Sequence, residues 1–273
     1  MDKSRYPMVE EVVSIGFNRE IGKDTFLMGF PSVALTSRAK PGQFLMIQVD
    51  RQAKDPLLRR PFSIHGVLDS NRLMILYKVV GKGTALLSAL REGDRISAIG
   101  PLGNGFTLPG TGERALLVAG GMGIAPLFFL TQVLTRAQNH SVKVFLGFPT
   151  SQDVVLIDQL KGLGVDLSLT TEDGSLGIKG LVSDLWDQTL SQESTQKPVT
   201  YACGPASMLK EIAQKAIARN LRCYVCLEGY MGCGLGICHG CAAKASGSKD
   251  KPYYYVCQDG PVFSVEMIDW EVM

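Results

Sequence analysis

Ala115-Leu116-Leu117-Val118-Ala119-Gly120-Gly121-Met122-Gly123-Ile124-Ala125-Pro126 opens with a continuous apolar run, passes through three glycines and reaches a proline. It predicts a strand, a tight turn and the start of a helix, since glycine permits the sharp turn and proline is tolerated in a first helical turn. The same texture repeats downstream. Helices are expected over 127–137, 154–161, 181–190 and 208–219, and strands over 142–148, 166–170 and 199–203. Strands alternating with helices imply parallel crossovers and a doubly wound parallel sheet. The longest uncharged segment, 115–135, has 21 residues and could span a bilayer by length alone, but the glycine turn and proline divide it. No membrane span is expected.

Upstream the pattern is different. Strands are expected over 44–49, 62–67 and 73–80, separated by Lys40-Pro41-Gly42, Asp55-Pro56 and Asp69-Ser70-Asn71, with one helix over 84–90. Short strands with frequent turns suit a small antiparallel barrel. The densest run of turn residues, Gly100-Pro101-Leu102-Gly103-Asn104-Gly105-Phe106 followed by Pro109-Gly110, marks the change of texture. We therefore divide the chain into a β-barrel over 1–110, an α/β unit over 111–220 and a Cys- and Gly-rich segment over 221–273.

The 273 residues are 45% hydrophobic, and 28 Lys+Arg against 26 Asp+Glu leave a net charge of only +2. Disorder and a nucleic-acid partner are both disfavoured. Met1-Asp2-Lys3-Ser4-Arg5-Tyr6-Pro7 lacks the apolar run of a secretory signal, so a cytoplasmic location is expected. All seven cysteines fall in the last 71 residues. In a reducing compartment such clustering points to metal ligation or redox chemistry before structural disulfides.

Four of them carry the most specific signal. Cys233, Cys238, Cys241 and Cys257 have four, two and fifteen residues between them, with glycines interleaved among the first three. Cys-x4-Cys-x2-Cys with a distal fourth Cys matches the plant-type 2Fe-2S loop, although its last interval is usually longer. Structural zinc is the alternative, but it favours paired short spacings and only Cys238 with Cys241 makes one. His239 sits inside the loop; four cysteines already complete a site, and a Rieske centre needs two histidines. Cys223 and Cys226 form a Cys-x-x-Cys that reads either as a redox or zinc pair or as buried inert thiols, with Cys223 expected to end a strand.

Phosphate-binding candidates are individually weaker. The turn at Gly120, Gly121 and Gly123 opens a helix, whose free N–H groups and dipole favour an anion, yet its spacing is not Gly-x-Gly-x-x-Gly. Asp173-Gly174-Ser175 and Cys203-Gly204-Pro205 each follow an expected strand at the same sheet edge, where open α/β sheets bind ligands. In the barrel, Arg60-Pro61-Phe62-Ser63 joins a guanidinium suited to a diphosphate with a nearby hydroxyl, and Gly81-Lys82-Gly83-Thr84 opens the expected helix. Each also reads as an ordinary turn. The loop Phe148-Pro149-Thr150-Ser151-Gln152-Asp153 has no Arg or Lys to grip a 2′-phosphate, which favours NAD over NADP.

Taken in order, these motifs, with Val256-Cys257-Gln258-Asp259-Gly260-Pro261-Val262-Phe263 at the end, resemble the electron-transfer subunits of B-type dihydroorotate dehydrogenases, within the ferredoxin reductase superfamily. The resemblance spans nearly the whole chain. It implies a flavin-binding barrel, an NAD domain and a C-terminal 2Fe-2S segment. Arg60, Pro61, Phe62, Ser63, Tyr77, Lys78, Val79, Gly83 and Thr84 would then hold FAD, with Ser63 near the flavin N5. Gly120, Gly121, Gly123, Asp173, Gly174, Cys203, Gly204 and Pro205 would meet NAD, and Cys233, Cys238, Cys241 and Cys257 would hold the cluster. Phe62 stands where many superfamily members have Tyr. The implied partner is an FMN-containing catalytic subunit that oxidises dihydroorotate to orotate in pyrimidine biosynthesis, in a heterotetramer. Two alternatives stay open: a flavin and iron–sulfur subunit of another complex, such as a reduced-ferredoxin:NADP oxidoreductase, hydrogenase or sulfite reductase, and a zinc-stabilised nucleotide-binding regulator.

Overall fold

The computed structural model describes residues 8–49, 55–69, 71–137, 140–192, 198–247 and 251–272. The opening Met1 to Pro7 and Ser70 of the turn before the third expected strand lie outside them. The first unit holds β1 (Val9–Ser14), β2 (Phe17–Gly22), β3 (Thr25–Pro31), the short α1 (Val33–Thr36), β4 (Phe44–Gln48), β5 (Arg60–Val67), β6 (Arg72–Lys78), α2 (Lys82–Ala89) and β7 (Arg95–Leu102). All pairings are antiparallel, in the order β1-β7-β4-β5-β6-β3-β2. The two ends of that order are consecutive in sequence. Ile15 donates its N–H to Asp94 beside β7 and Gly16 donates to Gly29 on β3, so the chain changes partners at one corner and the sheet curls into a half-barrel.

Alternation explains why β4 reads as a solid apolar run. Leu45 and Ile47 point into the barrel with Ile64, Ile75 and Ile96, whereas Phe44 and Met46 belong to the core beneath the C-terminal segment. Both faces are covered, so neither needs polar residues.

The second sheet contains β8 (Ala115–Gly120), β9 (Val142–Phe148), β10 (Asp166–Thr171), β11 (Ile178–Lys179), β12 (Val199–Cys203) and β13 (Cys223–Cys226). These are parallel in the order β11-β10-β9-β8-β12-β13. The crossovers carry α3 (Ile124–Arg136), α4 (Ile157–Gly162), α5 (Val182–Gln192) and α6 (Ala206–Ala218). Strand β8 is buried throughout, with Leu116 and Val118 facing Trp186, Leu209 and Ile212, and Leu117 and Ala119 facing Leu127 and Leu130. Each fully buried Leu here contributes about 2 kcal/mol. The order reverses between β8 and β12, which opens a crevice at their carboxyl ends. Expected helix 154–161 is shorter than its pattern: Val154 is extended and Leu156 takes a left-handed φ of 66°, so the helix starts only at Ile157.

The C-terminal segment is interleaved with this sheet. Cys223 begins β13 instead of ending a strand, and Cys226 ends it. After a small hairpin of β14 (Ala242–Lys244) and β15 (Tyr253–Tyr255), β16 (Val262–Ser264) returns antiparallel to β13 as the edge strand. A division at 220 thus cuts between two elements of one sheet. Asn104 fastens the barrel to the same segment, its N–H donating to the Gly260 carbonyl at 2.6 Å and its side-chain amide donating to the Asp259 backbone carbonyl at 2.8 Å. Among the described residues no helix is long and apolar enough to cross a membrane.

Candidate functional site

A cavity of about 470 Å³ lies where the three parts meet. Its barrel wall includes Arg60, Pro61, Phe62, Ser63, Tyr77, Lys78, Gly83 and Thr84, and its opposite wall Met122, Cys203, Cys226, Glu228, Gly229 and Met231. Eight of the nine residues expected for FAD therefore share one space. Val79 does not line it; its N–H donates to Asp24 instead.

The two neighbouring arginines have different tasks. Arg59 is fixed in the barrel, donating to the carbonyls of Met46 and Ser97, the Ser97 hydroxyl and the Glu10 carboxylate. Arg60 enters the cavity wall beside Gly83, where an added Cβ would come within 3.2 Å of the guanidinium Nε. Helix α2 starts at this point, and the Thr84 hydroxyl accepts from the N–H groups of Val80 and Gly81. A guanidinium beside a helix N-terminus is matched to a diphosphate.

Tyr77 presents its ring to the cavity and keeps its hydroxyl behind it, 3.0 Å from the Asn18 side-chain oxygen. Burial raises its pKa to about 12, so the phenol stays protonated. Phe62 packs edge-on against that ring at 5.7 Å. Lys78 is paired with Asp153 at 2.9 Å, which ties the barrel to the loop after β9.

The glycine turn after β8 packs directly on the end of β12: a Cβ on Gly123 would stand 1.9 Å from the Cys203 carbonyl oxygen. Only glycine can occupy that position, because backbone cannot yield as a flexible side chain would. A second cavity of about 250 Å³ opens at this carboxyl edge, lined among others by Gly120, Gly121, Glu172, Ser183, Pro205 and Ser207. Of the residues expected for NAD, Gly120, Gly121 and Pro205 line this cavity and Cys203 the first, while Gly123 and Gly204 line neither. Asp173 and Gly174 are exposed. The Asp173 carboxylate accepts from the Ser175 N–H and hydroxyl, and the Ser175 hydroxyl accepts from the Ser151 N–H, so these residues shape the loops around the edge.

Cys233, Cys238, Cys241 and Cys257 converge as two pairs. The sulfurs of Cys241 and Cys257 lie 3.3 Å apart, and the Cys238 thiol bonds to Cys233. Backbone N–H groups of Leu235, Ile237 and Cys238 point at the Cys233 sulfur at 3.3–3.4 Å, that of Gly236 at Cys257 and that of Cys257 at Cys241. Burial pushes the Cys233 thiol up, but these amide donors outweigh it and bring it down to about 6. Among the described residues no three His, Cys, Asp or Glu side chains gather for one ion. Two pairs suit two irons with two thiolates each, and N–H groups aimed at sulfur tune such a centre. The arrangement fits a 2Fe-2S cluster. The His239 ring stacks on Tyr255 at 4.1 Å.

Glu228, Gly229 and Met231 escaped the sequence reading although they directly follow β13. The available signal was position: a strand ending at the carboxyl edge puts the next residues in the crevice. Glu228 is an exposed residue of the cavity wall, and desolvation by the surrounding protein raises its carboxyl pKa above the ordinary range.

Comparison with known proteins agrees with this geometry. Residues 228–269 match a family described as the iron-sulfur cluster binding domain of dihydroorotate dehydrogenase B, and residues 117–214 match an oxidoreductase NAD-binding domain. The chain is 39% identical over 252 residues to the dihydroorotate dehydrogenase B (NAD(+)) electron transfer subunit of Desulforamulus reducens, covering 92% of this chain and 95% of the relative. It is 38% identical over 264 residues to the corresponding subunit of Caldanaerobacter subterraneus, covering 97% and 99%. This chain belongs to the dihydroorotate dehydrogenase B electron-transfer subunit family. Family membership accounts for the matched cluster and nucleotide domains in one chain. The structure of an NADH-dependent reduced ferredoxin-NADP oxidoreductase is also similar, at 31% identity and TM-score 0.83 over 96% of this chain and 91% of that one. A ferredoxin NADP+ reductase from Neisseria gonorrhoeae, at 19% identity and TM-score 0.65 over 77% of this chain and 91% of that one, shares the fold.

Proposed function

We propose that the chain is the oxidoreductase subunit that carries electrons between NAD and an FMN-containing catalytic subunit oxidising dihydroorotate to orotate. The observation that carries this reading is the single cavity walled by the barrel, by the Cys203 edge and by the residues leading into the cluster loop. FAD, when bound, links a two-electron hydride exchange to the one-electron chemistry of a 2Fe-2S cluster. Arg60 and the start of α2 hold its diphosphate, while Pro61, Phe62, Ser63, Tyr77, Lys78 and Val79 form or back the wall against its ring. Glu228 stands on the opposite wall, with its carboxyl pKa raised by desolvation. Cys203 and Met122 shape the edge where a nicotinamide stacks, and the Gly120–Gly121 turn with Pro205 bounds the space for the rest of NAD. The second cavity carries the acidic Glu172 and Glu211 and no Lys or Arg, which supports NAD over NADP.

In this reading 1–110 serves FAD, 111–220 serves NAD and 221–273 serves the cluster, within a cytoplasmic heterotetramer of pyrimidine biosynthesis. The test is to purify the chain with whatever binds it and assay dihydroorotate-dependent NAD reduction. Activity from the complex and none from this chain alone is expected. Recovery with a large iron–sulfur subunit and no dihydroorotate activity overturns the reading in favour of another flavin and iron–sulfur assembly.

A further inference from the structure

The Cys-x-x-Cys at Cys223 and Cys226 is not a pair. Three positions apart on β13, the two side chains face opposite sides: Cys223 enters the core beneath α6, and Cys226 the core shared with β8 and α3. Cys226 meets Cys203 instead. The two are register partners on the parallel strands β12 and β13, and their thiols are hydrogen-bonded to one another. Both are free thiols, 2% and 3% exposed, and both line the flavin cavity.

The backbone geometry suits a covalent link. Neighbouring strands lie about 4.8 Å apart, inside the roughly 4.4–6.8 Å between Cα atoms that a disulfide accepts. Both side chains reach the same cavity, so neither strand must turn over to bring the sulfurs together. The hydrogen bond from Cys226 and then burial hold the Cys203 thiol well above its ordinary pKa, so that thiol is protonated at rest.

We propose that Cys203 and Cys226 form a redox modification site, in which hydrogen peroxide entering the cavity converts the dithiol into a disulfide across β12 and β13. One thiol sulfur attacks the peroxide, forming an S–O bond as the O–O bond breaks, and its S–H proton passes to the departing hydroxide, which leaves as a first water. The second thiol then displaces the hydroxyl, forming the S–S bond as S–O breaks and a second water leaves. Two sulfurs lose two electrons and two hydrogens; the peroxide oxygens gain them. The cavity is a flavin site only on the function proposed above, but the bond itself depends on the strand register alone.

The test uses the chain purified anaerobically with its cluster and flavin. Its visible spectrum is recorded, one equivalent of hydrogen peroxide is added, and the protein is denatured in alkylating agent and mapped by mass spectrometry. The expected product joins the peptides carrying Cys203 and Cys226, is lighter by two hydrogens, and returns two alkylatable thiols with dithiothreitol. Cys226→Ser and Cys203→Ser each yield no joined peptide. The proposal is overturned if both wild-type thiols stay alkylatable after the peroxide is consumed, or if either appears alone as a sulfinic acid or joined to a different cysteine. A spectrum without flavin overturns the function proposed above, and the peptide map still decides the pair.

Discussion

A Cβ placed on Gly229 would stand 3.6 Å from the Cβ of Cys241, while Gly229 itself lines the flavin cavity. One residue thus separates the cavity from a cluster thiol, and its lack of a side chain keeps that separation short. Electron transfer through protein slows steeply with distance. Gly229→Val should leave the cluster thiols in place yet slow NADH-driven cluster reduction by about tenfold or more, roughly 1.4 kcal/mol in barrier. Rapid-freeze paramagnetic resonance measures it, and an unchanged rate of cluster reduction removes Gly229 from the route.

Arg59 and Arg60 are adjacent but should fail differently. Arg60→Ala removes charge-assisted contacts to a diphosphate and should weaken FAD binding by about 2 kcal/mol, close to thirtyfold, with little change in melting temperature of the flavin-free protein. Arg59→Ala breaks four hydrogen bonds inside the barrel and should lower that melting temperature first. Flavin fluorescence titration with thermal melts separates the two. Equal loss of FAD affinity in both variants contradicts the assignment.

Glu228 has a carboxyl raised by burial, so it keeps its proton to a higher pH than an ordinary glutamate and loses it as pH rises through the raised value. If that proton serves flavin reduction, Glu228→Gln should slow reduction by NADH about a hundredfold and abolish its alkaline limb. Stopped-flow bleaching across pH provides the measurement. A glutamine variant with the wild-type rate and profile would show that Glu228 only fills space.

His65 joins barrel to nucleotide domain: its Nδ1 lies 3.1 Å from the Ala125 carbonyl and its ring stacks on Phe128 at 4.4 Å. Burial lowers its pKa from 6.5 to about 4, against the hydrogen bond to Ala125. Between those values the unfolded chain binds more protons, so this contribution is complete above about pH 6.5 and shrinks as pH falls toward 4. The full loss is about 3 kcal/mol. His65→Phe should flatten the melting curve across that window relative to wild type, and parallel wild-type and variant profiles would disprove it.

Legibility in the sequence followed local chemistry. The glycine turn at Gly120 to Gly123, the cluster spacing from Cys233 to Cys257 and the Arg60 to Ser63 run each hold their signal within a few residues. Glu228 and Gly229 gave no local motif, only their position after a strand, because their importance comes from β13 ending beside β12, a long-range pairing. The Cys-x-x-Cys left a redox or zinc pair and buried thiols both open for the same reason: both cysteines are buried, two cysteines three apart on a strand face opposite ways, and Cys226 found its neighbour on another strand. Asp173 and Gly174 looked like ligand residues, yet Glu172 reaches the cavity, since the last strand residues fix which side chain turns inward.

By itself the sequence determined the two sheet types, their order and the four-thiol loop, because periodicity, turn residues and ligand spacing are local properties. It also determined the strand–turn–helix at Ala115 to Pro126. Tertiary structure alone decided that the chain changes partner strands at Ile15 and Gly16, that the cluster segment supplies β13 and β16 to the nucleotide sheet, and that Gly229 stands between cavity and cluster. Those facts depend on which strands pair, and burial of apolar surface across the whole chain selects the pairing.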